Sequence, residues 1–195
     1  RMDLDTGVVE LISSLAQIAA LEPRSEMTGG QNWVNHLTLS PDDAQIVFVH
    51  RWWPAGASRF QTRLCTAGTD GRGPRVIWPG IASHLAWRNP RELLFSGNYR
   101  ERPSGADRRF FLMDVTTGDV REFGTGVLPS DGHCSLRPGG GWILNDSYPD
   151  EARLQSLHLV REWDLRRIEL GRFYAPPEVT GQVRCDLHPR WNRDV

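Results

Sequence analysis

A short motif recurs four times along this chain, and it narrows the available folds more than any other feature. The copies are Asn35-His36-Leu37-Thr38-Leu39-Ser40-Pro41-Asp42, Ser83-His84-Leu85-Ala86-Trp87-Arg88-Asn89-Pro90, Gly132-His133-Cys134-Ser135-Leu136-Arg137-Pro138-Gly139 and Leu187-His188-Pro189-Arg190-Trp191-Asn192-Arg193-Asp194. Each has a histidine, a Leu or Trp three residues later, and then a polar turn. The histidines are spaced by 48, 49 and 55 residues. After each complete turn comes a short apolar run: Ile46-Val47-Phe48-Val49, Leu93-Leu94-Phe95 and Trp142-Ile143-Leu144. Two further runs follow in each unit, separated by turns such as Thr69-Asp70-Gly71 and Thr116-Thr117-Gly118. Short β-branched and aromatic runs bounded by turn residues read as strands.

Four strands every ~40–50 residues is the pattern of a β-propeller blade. The expected fold is therefore all-β, with three complete blades at about 36–80, 84–126 and 133–171. The opening Met2-Asp3-Leu4-Asp5-Thr6-Gly7 matches Met113-Asp114-Val115-Thr116-Thr117-Gly118, so residues 1–12 read as the outer half of an earlier blade. Residues 187–195 read as the start of a later one. Propellers close with about 4–8 blades. The chain is then either part of a larger ring or a four-bladed ring closed by its two halves, and the size of its insertions favours the larger ring. Residues 13–21 break the pattern, with Leu15, Ile18 and Leu21 at helical spacing and Pro23 as a stop. Residues 173–183, carrying Pro176-Pro177 and Gly181, read as a second insertion.

Composition excludes several classes. The 195 residues carry 23 basic and 24 acidic side chains, a net charge of -1 that implies no attraction to nucleic acid. Every basic residue is arginine, which excludes Schiff-base chemistry on a lysine. No apolar run approaches the ~18–20 residues of a membrane helix, so no membrane partner is expected. Three widely spaced cysteines, Cys65, Cys134 and Cys185, form no CxxC, and no signal peptide is visible at Arg1. A reducing compartment, the cytoplasm, is the expected location. Nothing in the sequence fixes an oligomeric state.

In a propeller the first strand of each blade lines the central channel, so one repeated position forms a ring around the axis. Four of the six histidines, His36, His84, His133 and His188, hold that position, whereas His50 and His158 read as surface or packing residues. Imidazoles from separate rigid strands suit a divalent transition metal, and one left unligated can act as a base near neutral pH. A repeated histidine can equally serve a backbone hydrogen bond in every blade. The acid-containing Arg184-Cys185-Asp186-Leu187-His188 beside the last copy favours the functional reading. Alternation along a strand would put Gln182 with Arg184, and Asp186 with His188, on one side, with Cys185 packed on the other.

At these residues the sequence resembles the oligogalacturonate lyase family, the propeller-fold pectate lyases. The likeness rests on Asn32-Trp33-Val34-Asn35-His36, Val127-Leu128-Pro129-Ser130-Asp131-Gly132-His133-Cys134, Asn145-Asp146-Ser147-Tyr148-Pro149-Asp150 and Arg184-Cys185-Asp186-Leu187-His188-Pro189-Arg190-Trp191. It implies a seven-bladed protein of which this chain is about the middle half. It also implies a divalent metal, manganese first, that binds a uronate carboxylate and acidifies the C5 proton for β-elimination from an oligouronide. Carried over position by position, His188 and His133 are metal ligands, and His84 sits where a base or substrate-orienting histidine stands. The family's Gln-x-x-His-x-His pattern is altered: Asp186 replaces the middle histidine, and Gln182 lies one residue further from His188. An aspartate ligand makes the site harder and more anionic. The expected metal set is thus His133, Asp186, His188 and Gln182. His84 and Arg184 are the candidate catalytic residues, Arg184 by its fit to a carboxylate. His36 and Tyr148 are candidate substrate contacts. Arg100, Arg102, Arg108 and Arg109 read as a solvated hairpin. The competing function is a non-catalytic platform of the TolB type, whose Ser-Pro-Asp turns are matched by Ser40-Pro41-Asp42.

Overall fold

The structure, a computed structural model, describes residues 1–99, 108–128 and 131–192. Among the described residues, twelve strands form three four-stranded antiparallel sheets, each a simple meander in chain order. The first holds β1 (Gln31–Leu39), β2 (Gln45–Trp53), β3 (Gln61–Gly68) and β4 (Arg75–Trp78). The second holds β5 (Ile81–Trp87), β6 (Glu92–Asn98), β7 (Arg109–Asp114) and β8 (Val120–Phe123). The third holds β9 (Ser135–Leu136), β10 (Trp142–Asp146), β11 (Leu154–Arg161) and β12 (Arg167–Tyr174). The chain divides into two compact units, Arg1–Ser83 with the described residues of Asn98–Pro103, and His84–Gly97 with those of Ser104–Val195. No described helix is long and apolar enough to cross a membrane.

The turns form because short polar side chains replace backbone partners. Ser40 Oγ donates to Asp42 at 2.6 Å and accepts from the Gln45 amide at 3.0 Å, which sets up the β1–β2 hairpin. Asn89 accepts from the amides of Arg91 and Glu92 at the matching place before β6. The two outer-hairpin segments that match in sequence also fold alike. Asp3 Oδ1 accepts from the amides of Asp5 and Thr6, and Asp114 Oδ1 from those of Thr116 and Thr117.

The middle strands are apolar on both faces and are buried on both: Val47, Phe48 and Val49 on β2, and Leu93, Leu94 and Phe95 on β6. In the first unit Ile46, Phe48, Cys65 and Ala67 pack under Ile18 of α1 (Leu15–Ala19). This helix is shorter than its spacing suggests, and Ser14 and Gln17 close its N-terminus in a reciprocal capping box. In the second unit Leu94, Phe110, Leu112, Leu128, Cys134, Ile143 and Val160 form one core.

His50 and His158, read as surface or packing residues, are both buried. Arg63 Nε donates to His50 Nδ1 at 3.0 Å, which makes Nδ1 the acceptor and leaves Nε2–H to donate to Asn32 Oδ1 at 3.1 Å. Burial, reinforced by the charges of Arg63 and Arg24, pushes His50 down to about 4. The unfolded chain therefore binds this proton more readily than the folded one. Stability from neutral His50 should be complete above about pH 6.5 and fall progressively toward pH 4, by about 3 kcal/mol in all. Urea unfolding of wild type and His50→Gln across that range checks this, because only wild type should show the added acid sensitivity.

Candidate metal centre

The repeated histidines owe their positions to backbone shape. His36, His84 and His188 all have positive φ, at 50, 51 and 44°. That left-handed conformation is uncommon outside glycine, but His tolerates it better than bulky or β-branched residues. At His36 it coincides with a register shift in the β1–β2 ladder between Asn35 and Thr38. A bulge of this kind re-aims a side chain out of the strand's normal alternation. His133, the remaining copy, reaches its place by a different route. A Cβ on Gly132 would lie 2.1 Å from the Asp146 carbonyl oxygen, so only glycine lets the chain before His133 pass that close to β10.

In the second unit three of these histidines meet. The rings of His84 and His133 are 4.1 Å apart, and those of His133 and His188 are 3.6 Å apart. One ligand atom each from His133, Asp186 and His188 falls within a common span of 4.8 Å. His133 Nδ1 lies 3.0 Å from both oxygens of Asp146, so Nδ1 carries a proton, and in the neutral ring the lone pair is on Nε2. That Nε2 stands 4.0 Å from Asp186 Oδ2. His188 Nδ1 lies 3.4 Å from the Asp186 carbonyl oxygen, which can only accept, so its Nε2 is likewise left as a donor atom for a ligand. An imidazole whose Nδ1–H is held by a carboxylate is the usual form of a metal-binding histidine. Two imidazoles and one carboxylate fit a divalent transition metal and leave coordination positions for a substrate.

Asp186 has another partner. Arg184 grips it through Nε at 2.7 Å and Nη2 at 2.9 Å, and Gln155 Nε2 approaches Oδ1 at 3.4 Å. A cation at this site must share Asp186 with Arg184 or release it. The Arg184 guanidinium also lies over the Tyr148 ring, 4.5 Å from its centre. Beside this pair, Tyr148 Oη is 3.1 Å from His84 Nε2, and Asp131 Oδ1 is 3.5 Å from the same nitrogen. Asp131 is held in turn by Ser96 Oγ at 2.8 Å, by the Gly132 amide and by Arg108. Burial, with Asp131 adding to it, pushes the Tyr148 hydroxyl up to about 12, so the phenol stays protonated.

The structure thus gathers His84, His133, Tyr148, Arg184, Asp186 and His188 in one unit. The Gln182 side chain lies outside what the structure describes, and His36 belongs to the other unit. Residues 182–188 do not form the expected strand. Gly181–Val183 is a 3-10 turn, and residues 184–192 lie outside any strand because no described segment forms a ladder with them. Side chains, not strand pairing, hold the segment: Trp191 Nε1 donates to the Ser135 carbonyl at 2.9 Å. Cys185, expected to be packed, is exposed for the same reason. Residues 173–183 are only partly an insertion, since β12 runs to Tyr174. Arg100 and Arg102 lie outside the described residues. Arg108, read as solvated, pairs with Asp131, and Arg109 lies 3.6 Å from Glu122. Asp131 and Asp146 were not singled out in the sequence. A carboxylate ending the apolar run Trp142-Ile143-Leu144 was the signal for Asp146, because a buried charge there needs partners.

No protein-family model matches the chain, and no curated protein sequence matches it. Solved structures do. An oligogalacturonate lyase from Vibrio parahaemolyticus superposes with a TM-score of 0.59 at 16% identity, over 90% of this chain and 42% of the lyase. TolB from Acinetobacter baumannii gives 0.53 at 14% identity, over 71% of this chain and 32% of TolB. The acylaminoacyl peptidase of Pyrococcus horikoshii gives 0.52 at 8% identity, over 78% and 26%. This chain therefore spans less than half the length of each. At these identities the likeness shows the fold alone: the chain is all-β, built of the four-stranded antiparallel blades of a β-propeller.

Proposed function

We propose that this chain carries the metal-dependent site of a polysaccharide lyase that cleaves oligogalacturonides or related oligouronides by β-elimination. The observation that carries the reading is the convergence of His133, Asp186 and His188 beside the His84–Tyr148 pair. The three converging side chains would hold a divalent cation, manganese first. When bound there, the cation supplies positive charge to a uronate carboxylate and so acidifies the neighbouring C5–H.

The chain's own groups account for the rest. His84 Nε2 accepts the C5 proton; the C–H pair forms the C4–C5 double bond, and the C4–O bond breaks with its pair going to the leaving sugar oxygen, which takes a proton from water. Tyr148, protonated throughout, donates to His84 Nε2 in the neutral tautomer whose lone pair lies on that nitrogen, the form that acts as a base. Asp131, close to the same nitrogen, stabilises the imidazolium that results. Arg184 is placed to exchange Asp186 for the substrate carboxylate, whose planar geometry it matches.

The likeness to TolB favours a second reading, a propeller that binds protein or glycan without metal or turnover. One experiment separates them. The purified chain is loaded with Mn2+, its metal content is measured, and oligogalacturonate is added while the ultraviolet absorbance of a 4,5-unsaturated uronate is followed. Retained metal and rising absorbance support the lyase; neither supports the platform. His84→Ala should then lower kcat by about 10²–10⁴-fold with little change in KM, the span expected for loss of a general base. An unchanged kcat would remove His84 as the base.

A further inference from the structure

The two histidine segments of the candidate centre come from positions 55 residues apart in the sequence, yet they share one anchor. Asp146, the last residue of β10, is only 1% exposed. Its Oδ1 accepts from the His133 amide at 2.6 Å, both its oxygens lie 3.0 Å from His133 Nδ1, and Oδ2 accepts from the His188 amide at 3.0 Å. Its neighbour Asn145 donates to the Asp146 carbonyl at 2.7 Å, which fixes the strand end on which the carboxylate rides. Gly132 lets the His133 segment come close enough to make the contact.

Resting on the metal reading above, we propose that Asp146 is the positioning residue of the centre: a single buried carboxylate that sets the His133 ring as its Nδ1–H tautomer and docks the His188 main chain against it. Asp146 is not a ligand, because its oxygens are taken up by these N–H groups. Its role is to decide which nitrogen His133 presents. With Nδ1–H committed to the carboxylate, Nε2 faces Asp186 as a lone pair. The docked His188 amide then brings the second ring to 3.6 Å from the first. Without the carboxylate, both the tautomer and the separation of the two rings lose their determinant.

Asp146→Asn is the test, since it keeps the shape and replaces one acceptor oxygen with an NH2 that faces an N–H donor. Mn2+ alone is the probe, titrated calorimetrically against wild type, Asp146→Asn and Asp150→Asn, an exposed control that removes the same charge. Mn2+ affinity should fall about 10–100-fold in Asp146→Asn, the usual cost of losing a histidine's carboxylate partner, and stay within twofold in the control. The second readout needs no metal. Long-range nitrogen–proton NMR of the imidazoles should show His133 as Nδ1–H in wild type and a shift toward Nε2–H in Asp146→Asn. A purely structural role would not move that tautomer. Asp146→Asn that keeps both Mn2+ affinity and the Nδ1–H tautomer overturns the proposal. If the variant does not fold, wild type alone decides, because an Nε2–H tautomer there overturns it too. A wild-type chain that binds no Mn2+ but shows the Nδ1–H tautomer would end the metal reading and leave the positioning role of Asp146 standing.

Discussion

Arg63→Ala should cost about 3–5 kcal/mol of stability, a large part of what a domain of this size has to lose. Arg63 is fully buried on β3, where the nearby Glu22 charge favours its cationic form against burial. Its hydrogen bonds go to neutral acceptors: His50 Nδ1 at 3.0 Å, the Glu22 carbonyl at 3.0 Å and the Ile18 carbonyl at 2.9 Å. Those two carbonyls belong to α1 and the turn after it, so one guanidinium ties the helical insertion to the first sheet. Truncation to alanine removes these bonds and leaves a cavity beside Trp52, which is also fully buried. Arg63→Met separates the two effects. It fills most of the volume and no longer buries a charge, and replacing a buried charge with an apolar chain of similar size is often near neutral. Its loss should be smaller, about 1–2 kcal/mol, from acceptors left without a donor. Urea unfolding followed by tryptophan fluorescence measures both. An alanine variant within 1 kcal/mol of wild type would mean that the insertion is held by apolar packing of Ile18 and Ile12 alone.

The contrast between Arg63 and the histidines shows what the sequence could and could not display. Strands were legible because alternation and apolar runs are local, and turns because Ser40, Asn89 and Asp114 cap the chain within a few residues. The blade pattern was legible because it repeats. The convergence of His84, His133 and His188 could be inferred because equivalent places in successive sheets are neighbours. That inference did not need to know that three of the four repeated histidines sit at positive φ, the local reason for their aim. The partners of these groups were not legible. Asp146 reaches His133 across 13 residues and His188 across 42, and Arg108 reaches Asp131 across 23. Nothing in the local pattern says which buried carboxylate faces which ring. The strand expected at 182–188 failed for a related reason: alternation describes how side chains point once a ladder exists, but it does not supply the partner strand. His50 and Arg63 were invisible together, since a buried base and a buried cation on adjacent strands look like surface residues until their pairing at 3.0 Å is known.

His188→Ala should lower Mn2+ affinity by more than the ~100-fold upper range for loss of a second-layer partner, while leaving the fold untouched. The side chain is exposed, so its removal opens no cavity. The His188 amide still donates to Asp146 in the variant, because that bond is made by the main chain. Ligation and structure are therefore separable at this position. They are not separable at His133, where removing the ring strips the buried Asp146 carboxylate of a hydrogen-bond donor and should cost about 1–3 kcal/mol as well as the metal. The two variants form a graded pair: metal loss with an intact fold at His188, and metal loss with destabilisation at His133. Calorimetric Mn2+ titration and urea unfolding measure the pair. Full Mn2+ occupancy in His188→Ala would remove it from the ligand set. Asp186 would then read as the partner of Arg184, joined by both oxygens at 2.7 and 2.9 Å, and the close, tilted rings of His133 and His188 as packing on a binding platform.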